Sequence, residues 1–170
     1  MDLGIAGKAA VVTGASSGIG RGIALALGAE GVRLALVARR RKLLEEVAGE
    51  IAARGGAQAL VIECDFLQQE APAAIAKAAV DGLGAVDILV NNAGGSRRFA
   101  LDASEEQWDE ALTLNFTRQR QLTHQLLQQM MERNWGRIIN ITGKSEPEGI
   151  NGAFCAKAAM HSWAKGLSRE

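Results

Sequence analysis

Apolar residues along this chain recur at two alternating spacings. Short, nearly continuous apolar runs rich in β-branched residues occupy positions 9–13, 33–37, 59–62, 86–90 and 138–141. Continuity, as opposed to strict alternation, is the pattern of parallel strands covered on both faces. Between these runs, residues 19–30, 41–54, 72–83, 105–133 and 153 onward read as helices. Ser104 followed by Gln107 predicts a capping box, and Pro72 suits a first helical turn. Gly31, the Gly55-Gly56 pair and Gly136 stop helices ahead of the next strand. Regular strand–helix alternation at these lengths predicts an α/β fold with a doubly wound parallel sheet.

The 170 residues predict one domain spanning 1–170, which buries about 70% of the surface its unfolded chain would expose. Nineteen acidic residues balance nineteen basic ones, so neither nucleic acid nor an anionic membrane is expected as a partner. No apolar run approaches the ~20 residues of a spanning helix. Asp2 and the early first strand argue against a secretory signal. Cys64 and Cys155 are too few for a disulfide scaffold, lack metal-ligand spacing and suit a reducing compartment. The expectation is a cytoplasmic protein without a metal site. The chain has no tyrosine, so no step of its chemistry uses a phenol.

The first strand runs into Thr13-Gly14-Ala15-Ser16-Ser17-Gly18-Ile19-Gly20 and then a helix. Phosphate binding needs backbone N–H groups close to the anion and a helix N-terminus whose dipole favours negative charge. Glycines at 14, 18 and 20 allow the turn, the close approach and tight helix–strand packing. After the first strand of a βαβ unit this predicts a dinucleotide site, with Gly14, Ser16, Ser17, Gly18 and Ile19 at the phosphates. The second strand is followed by Ala38 and then Arg39, Arg40 and Arg41, where an NAD site usually presents an acid. A guanidinium matches a 2′-phosphate, so Arg39 predicts NADP, with NADPH preferred over NADH. Arg40, Arg41 and Lys42 read as a solvated first turn of the next helix.

At this point the chain resembles the short-chain dehydrogenase/reductase family along its whole length. Besides residues 13–20, Cys64-Asp65-Phe66 matches the family's stretch after the third strand, and Asn91-Asn92-Ala93-Gly94 its signature after the fourth. Asn115 falls where the family places an asparagine in its long helix, and residues 136–141 resemble its fifth strand. The resemblance implies a Rossmann-type sheet of order 3-2-1-4-5, without the family's last two strands. It further implies NAD(P) bound with help from Asp65, Phe66, Asn91 and Lys157, and hydride transfer between nicotinamide and a small carbonyl or alcohol substrate. A homo-oligomer through the two long helices is also implied.

Two departures from the family pattern stand out. Family members use a Ser, a Tyr and a Lys in Tyr-x-x-x-Lys spacing, with the asparagine. Here Lys157 matches the lysine, but the position four residues earlier is Ala153, and Gly143 stands where the serine is expected. Asn115 and Lys157 are therefore the remaining catalytic candidates. Substitutes on paper are Thr142 or Ser145 at the substrate oxygen, Lys157 itself, or Glu146 or Glu148 as an acid. His124, His161 and Cys155 read as packing or surface residues. The family also usually runs to about 250 residues. The readings left open are an oxidoreductase with an atypical proton-transfer site, a non-catalytic NADP(H)-binding protein, and an inactive fragment of a longer dehydrogenase.

Overall fold

The computed structural model describes residues 3–143 and 148–170. Five parallel strands, β1 (Ala9–Thr13), β2 (Arg33–Ala38), β3 (Leu60–Glu63), β4 (Ile88–Asn91) and β5 (Arg137–Asn140), form one sheet in the order β3-β2-β1-β4-β5. Adjacent strands pair in register, Val11 with Ala35 and Leu89 for example. This is the expected Rossmann-type arrangement.

Alternation along each strand divides the core between two faces. Val11, Val37 and Leu89 point to one face, where Ile75 of α3 (Ala71–Leu83) and Leu122 and Leu126 of α5 (Arg118–Glu132) cover them. Val12, Leu36 and Val90 point to the other, under Ala24 of α1 (Gly18–Ala29) and Leu44, Val47 and Ile51 of α2 (Arg41–Ala53). The central strand β1 is buried throughout. The edge strand β5 is not: its residues alternate between exposed and half-buried, and Ile139 is 43% exposed. The expectation of two covered faces therefore fails at β5, where Ile138 packs on the core and Ile139 faces outward.

The long helix predicted over 105–133 is three segments. It begins as α4 (Glu105–Leu112), with the Ser104–Gln107 capping box formed as expected. A single π-helical turn, Thr113–Thr117, then leads into α5. The last helix, α6 (Gly152–Leu167), packs on α4 and the π turn and ends short of the terminus.

Candidate active site

The site starts from one buried hydroxyl. Thr13, the last residue of β1, is 0% exposed. Its Oγ1 donates to the Val90 carbonyl (3.0 Å) and accepts the N–H groups of Asn92 and Ala93 (both 2.9 Å). Asn92 reciprocates, with Nδ2 donating to the carbonyls of Thr13 (2.9 Å) and Gly14 (3.3 Å). These bonds clamp the glycine loop onto the segment after β4. A Cβ at Gly14 would sit 2.8 Å from Asn92 Nδ2, and one at Gly20 would overlap the Gly14 carbonyl oxygen. Gly14 has φ +67° and Gly18 φ +55°, backbone that favours glycine. Ser17 is the N-cap of α1, yet its side chain caps nothing. The first-turn N–H groups of α1 are thus free of a side-chain cap at the carboxyl edge of the sheet, as an anion site requires.

A cleft of about 480 Å³ opens along this edge. Gly14, Ser16, Ser17 and Ile19 line it together with Arg39, Asp65 and Phe66. Arg39 is exposed at the wall. Arg40, exposed as expected at the N-cap of α2, also lines the cleft, and its Nη2 lies 3.4 Å from Ser16 Oγ and 3.3 Å from Ser17 Oγ. The Arg40 guanidinium therefore faces the loop, and Arg39 lines the same cleft. The Asp65 carboxylate accepts the Leu67 N–H (3.0 Å), fixing the turn after β3. Cys64 also lines the cleft, its thiol pushed up by burial and, secondarily, by Asp65.

Asn91 plays a different part from its neighbours. Its side chain is fully buried, donating to Thr123 Oγ1 and Asn140 Oδ1 (both 2.9 Å) and so joining β4 to α5 and β5. Asn92, Ala93 and Gly94 present this segment to the cleft. Asn115, 2% exposed, sits within the π turn. It grips Gly95 twice, Oδ1 accepting the N–H (3.2 Å) and Nδ2 donating to the carbonyl (3.0 Å), with a further bond to the Ala111 carbonyl (2.9 Å). Single π turns commonly mark functional positions in helices. Asn115 and Ala153 line a second hollow of about 300 Å³, which shares Gly95, Glu110 and Leu114 with the cleft. The ion pair of Arg97 and Glu110 (2.9 Å) stands at its side.

Asn151 caps α6, its Oδ1 accepting the Ala153 and Phe154 N–H groups (2.9 and 3.4 Å). The Phe154 ring is thereby laid against Gly143: a Cβ at 143 would meet ring carbons at 3.0 and 3.2 Å and Lys157 Cβ at 3.8 Å. Gly143 and Lys157 are neighbours, as the resemblance implies, but Phe154 crowds the place of a serine side chain. Lys157 Nζ is out of solvent contact and has no hydrogen-bond partner among the described residues; burial pushes its amine down to about 8. It lines neither the cleft nor the hollow. Ser145 and Glu146 lie outside the described residues. Thr142, Glu148, Cys155, His124 and His161 are exposed. Phe116 and Trp163 meet edge to face (6.4 Å) where α6 crosses the π turn.

Among the described residues no three His, Cys, Asp or Glu side chains gather as a metal site, and no helix is long and apolar enough to cross a membrane. The groups an anionic dinucleotide needs at its phosphates are present: a glycine cradle that a Cβ would fill and a helix N-terminus without a side-chain cap. Sequence reasoning included Thr13 in its motif without a role and did not foresee the contacts of Arg40 with the loop. A threonine closing an otherwise apolar strand was the available signal for the first.

Residues 8–170 match the family model for short chain dehydrogenases. A fatty acyl-CoA reductase of Acinetobacter baylyi is 35% identical over 172 residues, covering 98% of this chain, which spans 58% of that protein. The L-sorbose reductase of Gluconobacter frateurii, solved with NADPH and L-sorbose, superposes with a TM-score of 0.92 at 33% identity, over 99% of this chain and 66% of that one. A metagenomic short-chain oxidoreductase solved with NADP gives 0.86 at 33% identity, over 97% and 78%. With the glycine cradle, the clamped Asn92 segment and the five-strand order in place, this chain belongs to the short-chain dehydrogenase family.

Proposed function

We propose that the chain is an NADP(H)-dependent oxidoreductase that moves hydride between nicotinamide and a small carbonyl or alcohol substrate, with an atypical proton-transfer site. The observation that carries this reading is the cleft lined both by the glycine loop that leads into the uncapped α1 and by Arg39 and Arg40. When bound, the cofactor supplies the hydride acceptor or donor. The chain's own residues do the rest. Gly14, Ser16, Ser17, Gly18 and Ile19 receive the pyrophosphate, and Arg39 with Arg40 a 2′-phosphate. Asp65 and Phe66 border the adenine end, and Asn91 and Asn115 hold the segments that frame the nicotinamide end. Lys157 offers an amine donor to a ribose or substrate oxygen. The half-buried Trp163 and Phe116, at the crossing of α6 and the π turn, support a homo-oligomer through the two long helices.

The test is titration with NADPH and NADH, followed by nicotinamide fluorescence and then by NADPH oxidation across a carbonyl panel. NADPH should bind at least tenfold tighter than NADH, about 1.4 kcal/mol. Arg39→Ala with Arg40→Ala should erase that preference while leaving NADH binding in place. Equal affinity for both nucleotides in the unmodified chain would defeat the NADP assignment. A second reading, a non-catalytic NADP(H)-binding protein, is favoured by Ala153 and by the Phe154 ring over Gly143. It is distinguished by tight NADPH binding with no oxidation of NADPH by any carbonyl.

A further inference from the structure

We propose that the hollow around Arg98 binds a carboxylate on the substrate, so that the carbonyl compound this chain reduces is a short-chain oxo acid. This rests on the oxidoreductase reading above and names a substrate class for it.

Two segments build the hollow, one after β4 and one leading into α6. The Phe99 N–H donates to the Ile150 carbonyl (2.9 Å), and Asn151 Nδ2 donates to Ser96 Oγ (2.9 Å). Asn151 is buried and also caps α6, so the two backbones are fixed against each other. Between them lies a hollow of about 230 Å³ lined by Arg98, Glu148, Ile150 and Phe154, among others. It adjoins the residues already described. Ser96 and Ala153 line the hollow beside Asn115, and the Phe154 ring lies against Gly143.

Two consecutive arginines differ in their surroundings. Arg97 is paired with Glu110 and lies 6.0 Å from the Phe99 ring centre. Arg98 has no ion-pair partner among the described residues. Its guanidinium rests against Gly149, where a Cβ would sit 3.2 Å from Nε and 3.4 Å from Nη2. The glycine therefore makes the room in which the guanidinium lies. A guanidinium is a planar fork of donors that matches a carboxylate with two parallel hydrogen bonds. Ile150, 38% exposed, and the half-buried Phe154 supply an apolar wall for a short carbon chain. One cation with the Glu148 carboxylate on the same rim suits a single negative charge. A dianionic phosphate would meet that carboxylate with twice the repulsion.

The test compares 5-oxohexanoate with its methyl ester, which keeps the carbonyl and the chain but not the charge, on the full chain with NADPH. At low ionic strength the unmodified chain should give a kcat/KM at least tenfold higher for the acid. In Arg98→Gln this acid-to-ester ratio should fall to about one. Glu148→Gln should raise it at least twofold, a change that a merely structural role would not produce. Gly149→Ala keeps the arginine but crowds its guanidinium, and should lower the ratio at least threefold. Binding is read separately, without turnover. Hexanoate titrated into ¹⁵N-labelled protein should shift the amides of Phe99, Gly149 and Ile150, and Arg98→Gln should abolish these shifts. A ratio near one in the unmodified chain, or one that survives Arg98→Gln, would overturn the proposal. So would hexanoate shifts that persist in that variant, or 2-oxopropyl phosphate reduced in preference to the acid. Failure of the underlying reading looks different: neither compound oxidises NADPH, while hexanoate still shifts the three amides through Arg98. That result would remove the oxidoreductase and leave the carboxylate site standing.

Discussion

Replacing Thr13 with valine tests whether the site depends on one buried hydroxyl. Valine is nearly the same shape, so the core keeps its volume while three hydrogen bonds disappear. The Asn92 and Ala93 N–H groups lose their acceptor, and the Val90 carbonyl loses a donor. Thr13 is fully buried, so water has no easy route to replace them. Each orphaned group costs roughly 1–3 kcal/mol, and two backbone donors together put the loss at about 3 kcal/mol. For a chain of this length that lowers Tm by roughly 6–12 °C. Thr13→Ser keeps the hydroxyl and gives up one methyl, about 0.8 kcal/mol. Urea unfolding of the three proteins gives the comparison directly. NADPH affinity should also fall in Thr13→Val, because the Asn92 segment that packs on the glycine loop is released. A Thr13→Val protein within 0.5 kcal/mol of the parent would refute the claim that this hydroxyl holds β1 and β4 together at the cleft.

Gly20→Ala should destabilise the chain by about 1–3 kcal/mol, the usual cost of overpacking, because its Cβ overlaps the Gly14 carbonyl and Asn92 Nδ2; a urea midpoint unchanged from the parent would rule out that contact. Lys157 makes stability depend on pH with a definite sign. Its folded-state pKa of about 8 lies below the ordinary value of 10.5, so the unfolded chain binds more protons between those values and stability rises as pH climbs through that window. Below pH 8 the buried ammonium costs on the order of 3 kcal/mol, so Lys157→Met should be the more stable protein at pH 7, with the gap closing by pH 10.5. Urea unfolding at pH 7 and pH 10 checks this, and a gap that does not change with pH would mean the amine is solvated.

The elements legible in the sequence were those fixed by local rules. The apolar run at 9–13, the glycine triplet and the Ser104–Gln107 box each specify their structure within a few residues, and each formed as read. What escaped depends on distance along the chain. The π turn at Thr113–Thr117 inserts one residue into a helix whose pattern is continuous on both sides, and it is accompanied by the grip of Asn115 on Gly95, twenty residues away. Arg40 is the exposed helix start it looked like, but its contacts with Ser16 and Ser17, more than twenty residues earlier, were not legible locally. The substitutions at 143 and 153 were plain in the sequence, but their consequence was not. Ala153 lines a hollow beside Asn115, whereas the Phe154 ring lies against Gly143. Restoring the two family residues is therefore not symmetrical. A tyrosine at 153 would point toward an existing hollow, while a serine at 143 requires the Phe154 ring to give by a few tenths of an ångström.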